Sequence, residues 1–167
     1  MKVLETPRLR LRARTLEDLD AIVAMDADEE VRRYIGGPLD PITHGADVRR
    51  RIVDGRPAPY FAWAIEWKAR PGFLGQCALN ASHLSDVTEI SWRLTRMAWG
   101  QGIATEAATA VFRHALHDLE VGPVVAMIHP DNRGSVRVAE KIGLRQHGET
   151  QFKGVRQLVF RTSERLD

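Results

Sequence analysis

The chain has 167 residues, of which 44% are hydrophobic and 28% charged, the balance of a folded globular protein of one domain spanning 1–167. A single cysteine, Cys77, excludes a disulfide framework and a cysteine cluster for zinc, and permits a reducing compartment. A formal net charge of +2 gives no electrostatic ground for a nucleic-acid partner but suits mild attraction of an anionic ligand.

The elements are predicted in chain order. Met1 to Arg14 alternates charge with leucine and carries no apolar core of signal-peptide length. Leu9 and Leu11, alternating with Arg8, Arg10 and Arg12, predict a first strand. Thr15 with Asp18 forms an imperfect capping box before helically spaced Leu16, Leu19, Ile22 and Val23. Gly36-Gly37-Pro38 ends that region. A second helical piece is predicted over Gly45 to Val53, closed by Pro57 and Pro59. Three strands follow, Tyr60 to Trp67, Phe73 to Ala81 and Val87 to Leu94, spaced as an antiparallel meander. The period then changes. Ile103, Ala104, Ala107, Ala108, Val111, Phe112, Ala115, Leu116 and Leu119 mark one face of a long helix, broken at Gly122-Pro123. Val124 to Ile128 has the composition of a buried strand. Asp131-Asn132 starts a further helix that stops at Gly143. Two strands are predicted in the tail, near Arg145 to Thr150 and over Val155 to Thr162. Val87 to Ile128 is a strand–helix–strand unit, which places its two strands parallel with a right-handed crossover. No stretch approaches the roughly 20 apolar residues of a membrane span, so a soluble, cytoplasmic protein is expected, with no membrane partner.

The most informative segment is Trp99-Gly100-Gln101-Gly102-Ile103-Ala104-Thr105-Glu106, between a strand and a helix. Gly100 and Gly102 allow close approach of the backbone to a ligand, and a helix start offers unpaired N–H groups and a positive dipole end. The segment is thus either a phosphate cradle or a tight turn. Thr105 stands where a dinucleotide fingerprint needs its third glycine, and the Gly-Lys-Ser/Thr of a P-loop is missing. In His129-Pro130-Asp131-Asn132-Arg133-Gly134-Ser135, composition alone makes Asn132 a helix cap.

Together, "EISWRL…WGQGIATEA" and "HPDNRGSVRVAEKIGL" resemble the GNAT N-acetyltransferase superfamily, and the branch containing the ribosomal-protein alanine N-acetyltransferases. "ETPRLRLRARTLEDLDAI" and "DEEVRRYIGG" resemble that branch too. The resemblance runs from about Leu4 to Leu144. It implies an α/β (mixed α+β) fold with a single mixed, mostly antiparallel sheet, helices on both faces, and two central strands splayed apart. It implies an acetyl-CoA-dependent N-acetyltransferase without a metal, monomeric or homodimeric, with a protein N-terminus or a small amine as acceptor. The phosphate-loop pattern maps onto Trp99 through Ala104, with Trp99 in place of the superfamily's glutamine or arginine. Backbone N–H groups from Gly100, Gln101, Gly102, Ile103, Ala104 and Thr105 would hold the pyrophosphate. Trp92, Arg93 and Leu94 would pair with the pantetheine arm, and Asn132 would contact the cofactor.

Aminolysis of a thioester needs a neutral amine and is helped by protonation of the departing thiolate. Glu89, on the cofactor-binding strand, is the candidate base, directly or through water. Its parity is opposite to Ile90, Trp92 and Leu94, so the alternative is a solvated carboxylate. Ser135 is the candidate acid. Many superfamily members place a tyrosine one helical turn later, where this chain has Ala139. The alternatives for Ser135 are a cofactor contact or a hydroxyl bonded back to the helix. His129 is expected to be structural or solvent-facing, Cys77 a small core residue, and Tyr34, Phe61 and Trp63 core, with the lining of an acceptor pocket as their alternative. Asp26, Asp28, Glu29 and Glu30 are expected on a solvated helix face. A non-catalytic acyl-CoA-binding module is the rival to the enzyme, separated from it by Glu89 and Ser135.

Overall fold

Leu9 and Leu11 are fully buried while Arg10 and Arg12 point to the opposite side, and this alternation builds β2 (Leu9–Ala13). The computed structural model describes residues 1–162. A two-residue strand too short to carry a period, β1 (Leu4–Glu5), precedes β2 and pairs with it. The meander follows as β3 (Ala62–Trp67), β4 (Gly75–Ala81) and β5 (Thr88–Leu94), each antiparallel to the last. β6 (Val124–Ile128) lies parallel to β5, and β7 (Arg145–Phe152) and β8 (Val155–Arg161) complete one eight-stranded sheet of order β1-β2-β3-β4-β5-β6-β8-β7.

The helices are α1 (Leu19–Ala27), α2 (Glu29–Arg32), α3 (Pro41–Val53), α4 (Ile103–His117) and α5 (Arg133–Lys141). A 3-10 turn over Leu16–Asp18 leads into α1; there the Asp18 carboxylate accepts the Thr15 N–H at 2.8 Å. α3 begins four residues before the predicted Gly45. Asp40 accepts the Thr43 N–H at 2.9 Å, and Pro41 takes the first turn, where its missing N–H costs nothing. α4 is the crossover between β5 and β6. Its apolar stripe (Ile103, Ala107, Ala108, Val111 and Ala115) packs on the face of the sheet that carries Leu9, Leu11, Trp63, Ile65, Leu79 and Ile90.

Trp63 is fully buried, as expected of a core residue, and donates its indole N–H to the Lys2 carbonyl at 2.9 Å, while Phe61 is half-buried and packs edge-on against it at the margin of the core. Cys77 is fully buried, and burial pushes its thiol up to about 12, so no thiolate is available near neutrality. Among the described residues no helix is long and apolar enough to cross a membrane.

The acidic run departs from expectation. Asp26 is 1% exposed rather than solvated. It accepts Arg93 Nη1 at 2.6 Å and meets His44 Nε2 at 2.7 Å, which ties α1 and α3 to β5. Asp28 caps α2 by accepting the Glu30 and Val31 N–H groups, and Glu30 pairs with Arg33 at 2.5 Å. The cause is a second helical layer: α1 and α3 cover the sheet face opposite α4, so charged residues there are enclosed and need partners.

Candidate active site

β5 and β6 are paired only at their first residues, Thr88 with Val124 and Glu89 with Val125. Beyond that point they separate, because β6 turns to pair with β8 from Val125 to Ile128 while β5 stays bound to β4 along its whole length. The gap is a cleft of about 470 Å³. Its walls include Glu89, Trp92, Arg93 and Leu94 from β5, Ala126 to Ile128 from β6, Trp99 and Gly100 beyond β5, and Asn132 and Ser135 from the start of α5.

Glu89 occupies the vertex, as half of the last parallel pair. Burial raises its carboxyl to about 7 from an ordinary 4.5. Glu89 is half-buried and lines the cleft on the face of β5 that it shares with Ser91 and Arg93. A carboxyl titrating near neutrality in a cleft can exchange a proton with an amine at working pH.

Past the outer end of β5, a 3-10 turn over Arg96–Ala98 leads to the glycine segment. The indole N–H of Trp99 donates to the Leu94 carbonyl at 3.1 Å, which fixes the turn to the strand. Gly100 and Gly102 have φ of +74° and +76°, the left-handed region that glycine enters without cost. The first helical hydrogen bond of α4 runs from the Glu106 N–H to the Gly102 carbonyl at 3.0 Å. The preceding N–H groups, Ile103 to Thr105, are therefore free of helical partners. The turn is braced from outside. Arg8 donates to the Gln101 carbonyl at 3.0 Å and to Glu106 at 2.7 Å, and Glu106 also accepts from Thr6 at 2.6 Å. The Gln101 side chain folds back onto the Met97 carbonyl at 2.7 Å. The side chain of Ile103 is core. Gln101 through Thr105 thus stand at the helix start beyond the cleft wall, where only their backbone N–H groups are suited to an anion.

Asn132 and Ser135 share one face of the first turn of α5, and Asn132 Oδ1 accepts the Ser135 N–H at 3.1 Å. The Ser135 hydroxyl has no hydrogen-bond partner among the described residues, unlike Thr109, whose hydroxyl bonds back to Thr105 at 2.7 Å. Ala139 is fully buried in the core against α4 and does not face the cleft, so a tyrosine at this position has no room.

Two further aromatic residues line the cleft. Tyr34, expected in the core, lies across the cleft with its ring 5.2 Å from that of His129. His129 is a cleft residue held structurally, its Nδ1 accepting the Asp131 N–H at 3.2 Å.

Residues 8–145 match the acetyltransferase (GNAT) domain family. The chain belongs to that family. It is 32% identical over 140 residues to the Bacillus subtilis (strain 168) protein YkkB, covering 81% of each chain. An acetyltransferase from Agrobacterium tumefaciens strain C58 superposes with a TM-score of 0.82 at 26% identity, covering 98% of this chain and 95% of that one. The ribosomal L7/L12 alpha-N-protein acetyltransferase RimL, solved in complex with coenzyme A, superposes with a TM-score of 0.79 at 16% identity, covering 96% and 97%. This GNAT protein is therefore an acyltransferase that uses acetyl-CoA, and its open, mostly antiparallel sheet is the family's fold.

Proposed function

We propose that this GNAT protein acetylates a primary amine by direct attack on the thioester of acetyl-CoA, with no acyl-enzyme intermediate. The observation that carries this reading is the position of Glu89 at the vertex of the parted strands, with a pKa near neutrality and an open path into the cleft. The thioester arm would lie between β5 and β6, along the main chain of Trp92, Arg93 and Leu94, with Asn132 beside it. Its pyrophosphate would meet the N–H groups at the start of α4. Glu89, directly or through one water, would take the proton of the attacking amine. Ser135 would give a proton to the departing thiolate. Cys77 is buried and protonated, so it offers no nucleophile for a covalent route. RimL, with the same fold, modifies a protein α-amine by its name, which supports an α-amino or similar primary amine as acceptor.

The test is a panel of amines, from N-terminal peptides to polyamines, amino sugars and amino acids, assayed for release of free CoA. Acceptor-dependent release supports the reading. Saturable acetyl-CoA binding with no acceptor-dependent release across the panel would instead make the chain a non-catalytic acyl-CoA-binding module.

The Ser135 assignment has its own outcome. Ser135→Ala is expected to slow single-turnover acetyl transfer while leaving acetyl-CoA affinity nearly unchanged. The loss should fall below the roughly 10²-fold that a positioned acid–base group usually contributes, because a CoA thiolate is already a tolerable leaving group. Weakened affinity with an unchanged chemical step would reduce Ser135 to a cofactor contact.

A further inference from the structure

Arg8 and Gln101 stand 93 residues apart in sequence and meet at the glycine turn. Arg8 belongs to the tight turn between β1 and β2, where the Thr6 N–H donates to the Leu9 carbonyl at 3.0 Å and the Leu9 N–H to Thr6 Oγ1 at 2.8 Å. The turn is also pinned at the end of β3. The Lys68 N–H donates to the Arg8 carbonyl at 3.0 Å, and the Arg8 guanidinium lies over the Trp67 ring, 5.4 Å from its centre. Arg8 thus reaches α4 from a fixed base. Its Nε donates to Glu106 Oε2 at 2.7 Å, while Glu106 Oε1 accepts the Thr6 hydroxyl at 2.6 Å and the Arg8 main-chain N–H at 3.0 Å. Both carboxylate oxygens are therefore occupied. Burial works against the ionised form of Glu106, but the bonds from Thr6 and Arg8 hold its carboxyl below its ordinary value.

The apolar stripe from Ile103 to Ala115 already buries α4 against the sheet, so the particular effect of this cluster falls on the turn. It acts there in two ways. Arg8 Nη2 holds the Gln101 carbonyl at 3.0 Å. In a planar trans peptide the carbonyl and the N–H that follows it point in opposite directions, so fixing the Gln101 oxygen aims the Gly102 N–H away from Arg8. The second effect is on charge. Glu106 places a carboxylate in the first turn of α4, where left alone it would oppose an incoming anion. A single exposed ion pair would do little to change that. Here three donors from one turn occupy the carboxylate together and draw it toward the β1–β2 turn.

We infer that Arg8 and Glu106 are positioning residues for the phosphate end of acetyl-CoA: Arg8 orients the glycine turn through the Gln101 carbonyl and neutralises the Glu106 carboxylate at the helix start. This rests on the reading in which the start of α4 meets the pyrophosphate. It gives the opening segment Thr6-Pro7-Arg8-Leu9 a part in cofactor binding that is exerted through the turn. Arginine suits the task because its forked donors serve a carboxylate and a carbonyl at once, which a lysine ammonium on its flexible stem does less well.

The experiment is a calorimetric titration of CoA into wild type, Arg8→Gln, Arg8→Lys and the double variant Arg8→Gln/Glu106→Gln. The Arg8 side chain is 46% exposed, so its replacement should leave the fold intact, which ligand-free melting temperatures check. Arg8→Gln should weaken CoA binding fivefold or more. Arg8→Lys should fall between it and the wild type, since the ammonium keeps the charge beside Glu106 and gives up the Gln101 carbonyl. The double variant should bind CoA more tightly than Arg8→Gln, because the unpaired anion at the helix start has gone. A cluster that merely held two elements together would show no such gain. A smaller loss in Arg8→Gln, an Arg8→Lys affinity no better than that of Arg8→Gln, or a double variant that recovers nothing would overturn the inference. Gly102→Val, titrated alongside, tells the two readings apart. If it loses CoA binding while the Arg8 variants do not, the pyrophosphate still lies at the start of α4 and only the positioning role falls. If it too binds CoA like the wild type, both fall.

Discussion

Glu89→Gln is expected to lower kcat/KM by about 10²–10⁴-fold with little change in acetyl-CoA affinity, since the change removes a proton acceptor and keeps the side chain's size. The wild-type rate should fall on the acid side of about pH 7, where the carboxyl protonates, and this limb should vanish in the variant. Stability should move the other way. An unfolded Glu89 ionises near 4.5, whereas the folded carboxyl holds its proton up to about 7. Its contribution to folding is therefore fully favourable below pH 4.5 and is lost as pH rises through 7. At 1.36 kcal/mol per unit, the loss approaches about 3 kcal/mol at alkaline pH. Glu89→Gln should therefore match the wild type near pH 4 and unfold at higher denaturant concentration at pH 8. Near-normal turnover across pH in a folded variant would pass the base role to water or another group. A variant no more stable than wild type at pH 8 would show that the carboxyl is solvated after all.

That opposition between stability and activity explains why Glu89 was hard to read in the sequence. Leu9 with Leu11 and Ile90 with Leu94 declare strands by period two, and the stripe from Ile103 to Ala115 declares α4 by its helical period. These patterns record one apolar face. They say nothing about what covers the other face, and in this protein α1 and α3 cover it with a polar layer. Asp26 meets Arg93 across 67 residues, so the run from Asp26 to Glu30 gave no local sign that one of its members is buried. β7 shows the same limit. All but one of its residues are exposed, and it is held by cross-strand pairing with β8 rather than by any apolar stripe, so its extension to Phe152 had no sequence signal. The parting of β5 and β6 is likewise non-local. It follows from β8 drawing β6 away, and from sequence it was available only through the resemblance of the two motifs.

The glycine segment carries the other large effect. Acetyl-CoA at a hundredfold excess over its dissociation constant should stabilise the wild type by about 2.7 kcal/mol, and Gly102→Val should lose most of that. At φ of +76° an L-residue places its Cβ against the adjoining carbonyl, at a cost of roughly 1–2 kcal/mol, and a β-branched side chain is worse placed than most. A Cβ there also comes within 3.4 Å of Arg8 Nη2, the group that braces the Gln101 carbonyl. Valine must either displace Arg8 or turn the peptide, and either change redirects the N–H groups that open α4. Gly100→Ala separates these causes. It carries similar backbone strain at φ of +74°, but its Cβ meets nothing within 4 Å, so the Arg8 brace survives. If the oriented N–H groups hold the pyrophosphate, Gly102→Val should lose more of the ligand-induced shift in melting temperature than Gly100→Ala. Each shift is measured against that variant's own ligand-free melting temperature, so that strain alone cannot mimic the result. ATP and NAD at the same concentrations should stabilise the wild type less than acetyl-CoA, because neither carries the arm that enters the cleft. A full acetyl-CoA shift in Gly102→Val would remove the start of α4 from the binding site and place the pyrophosphate elsewhere.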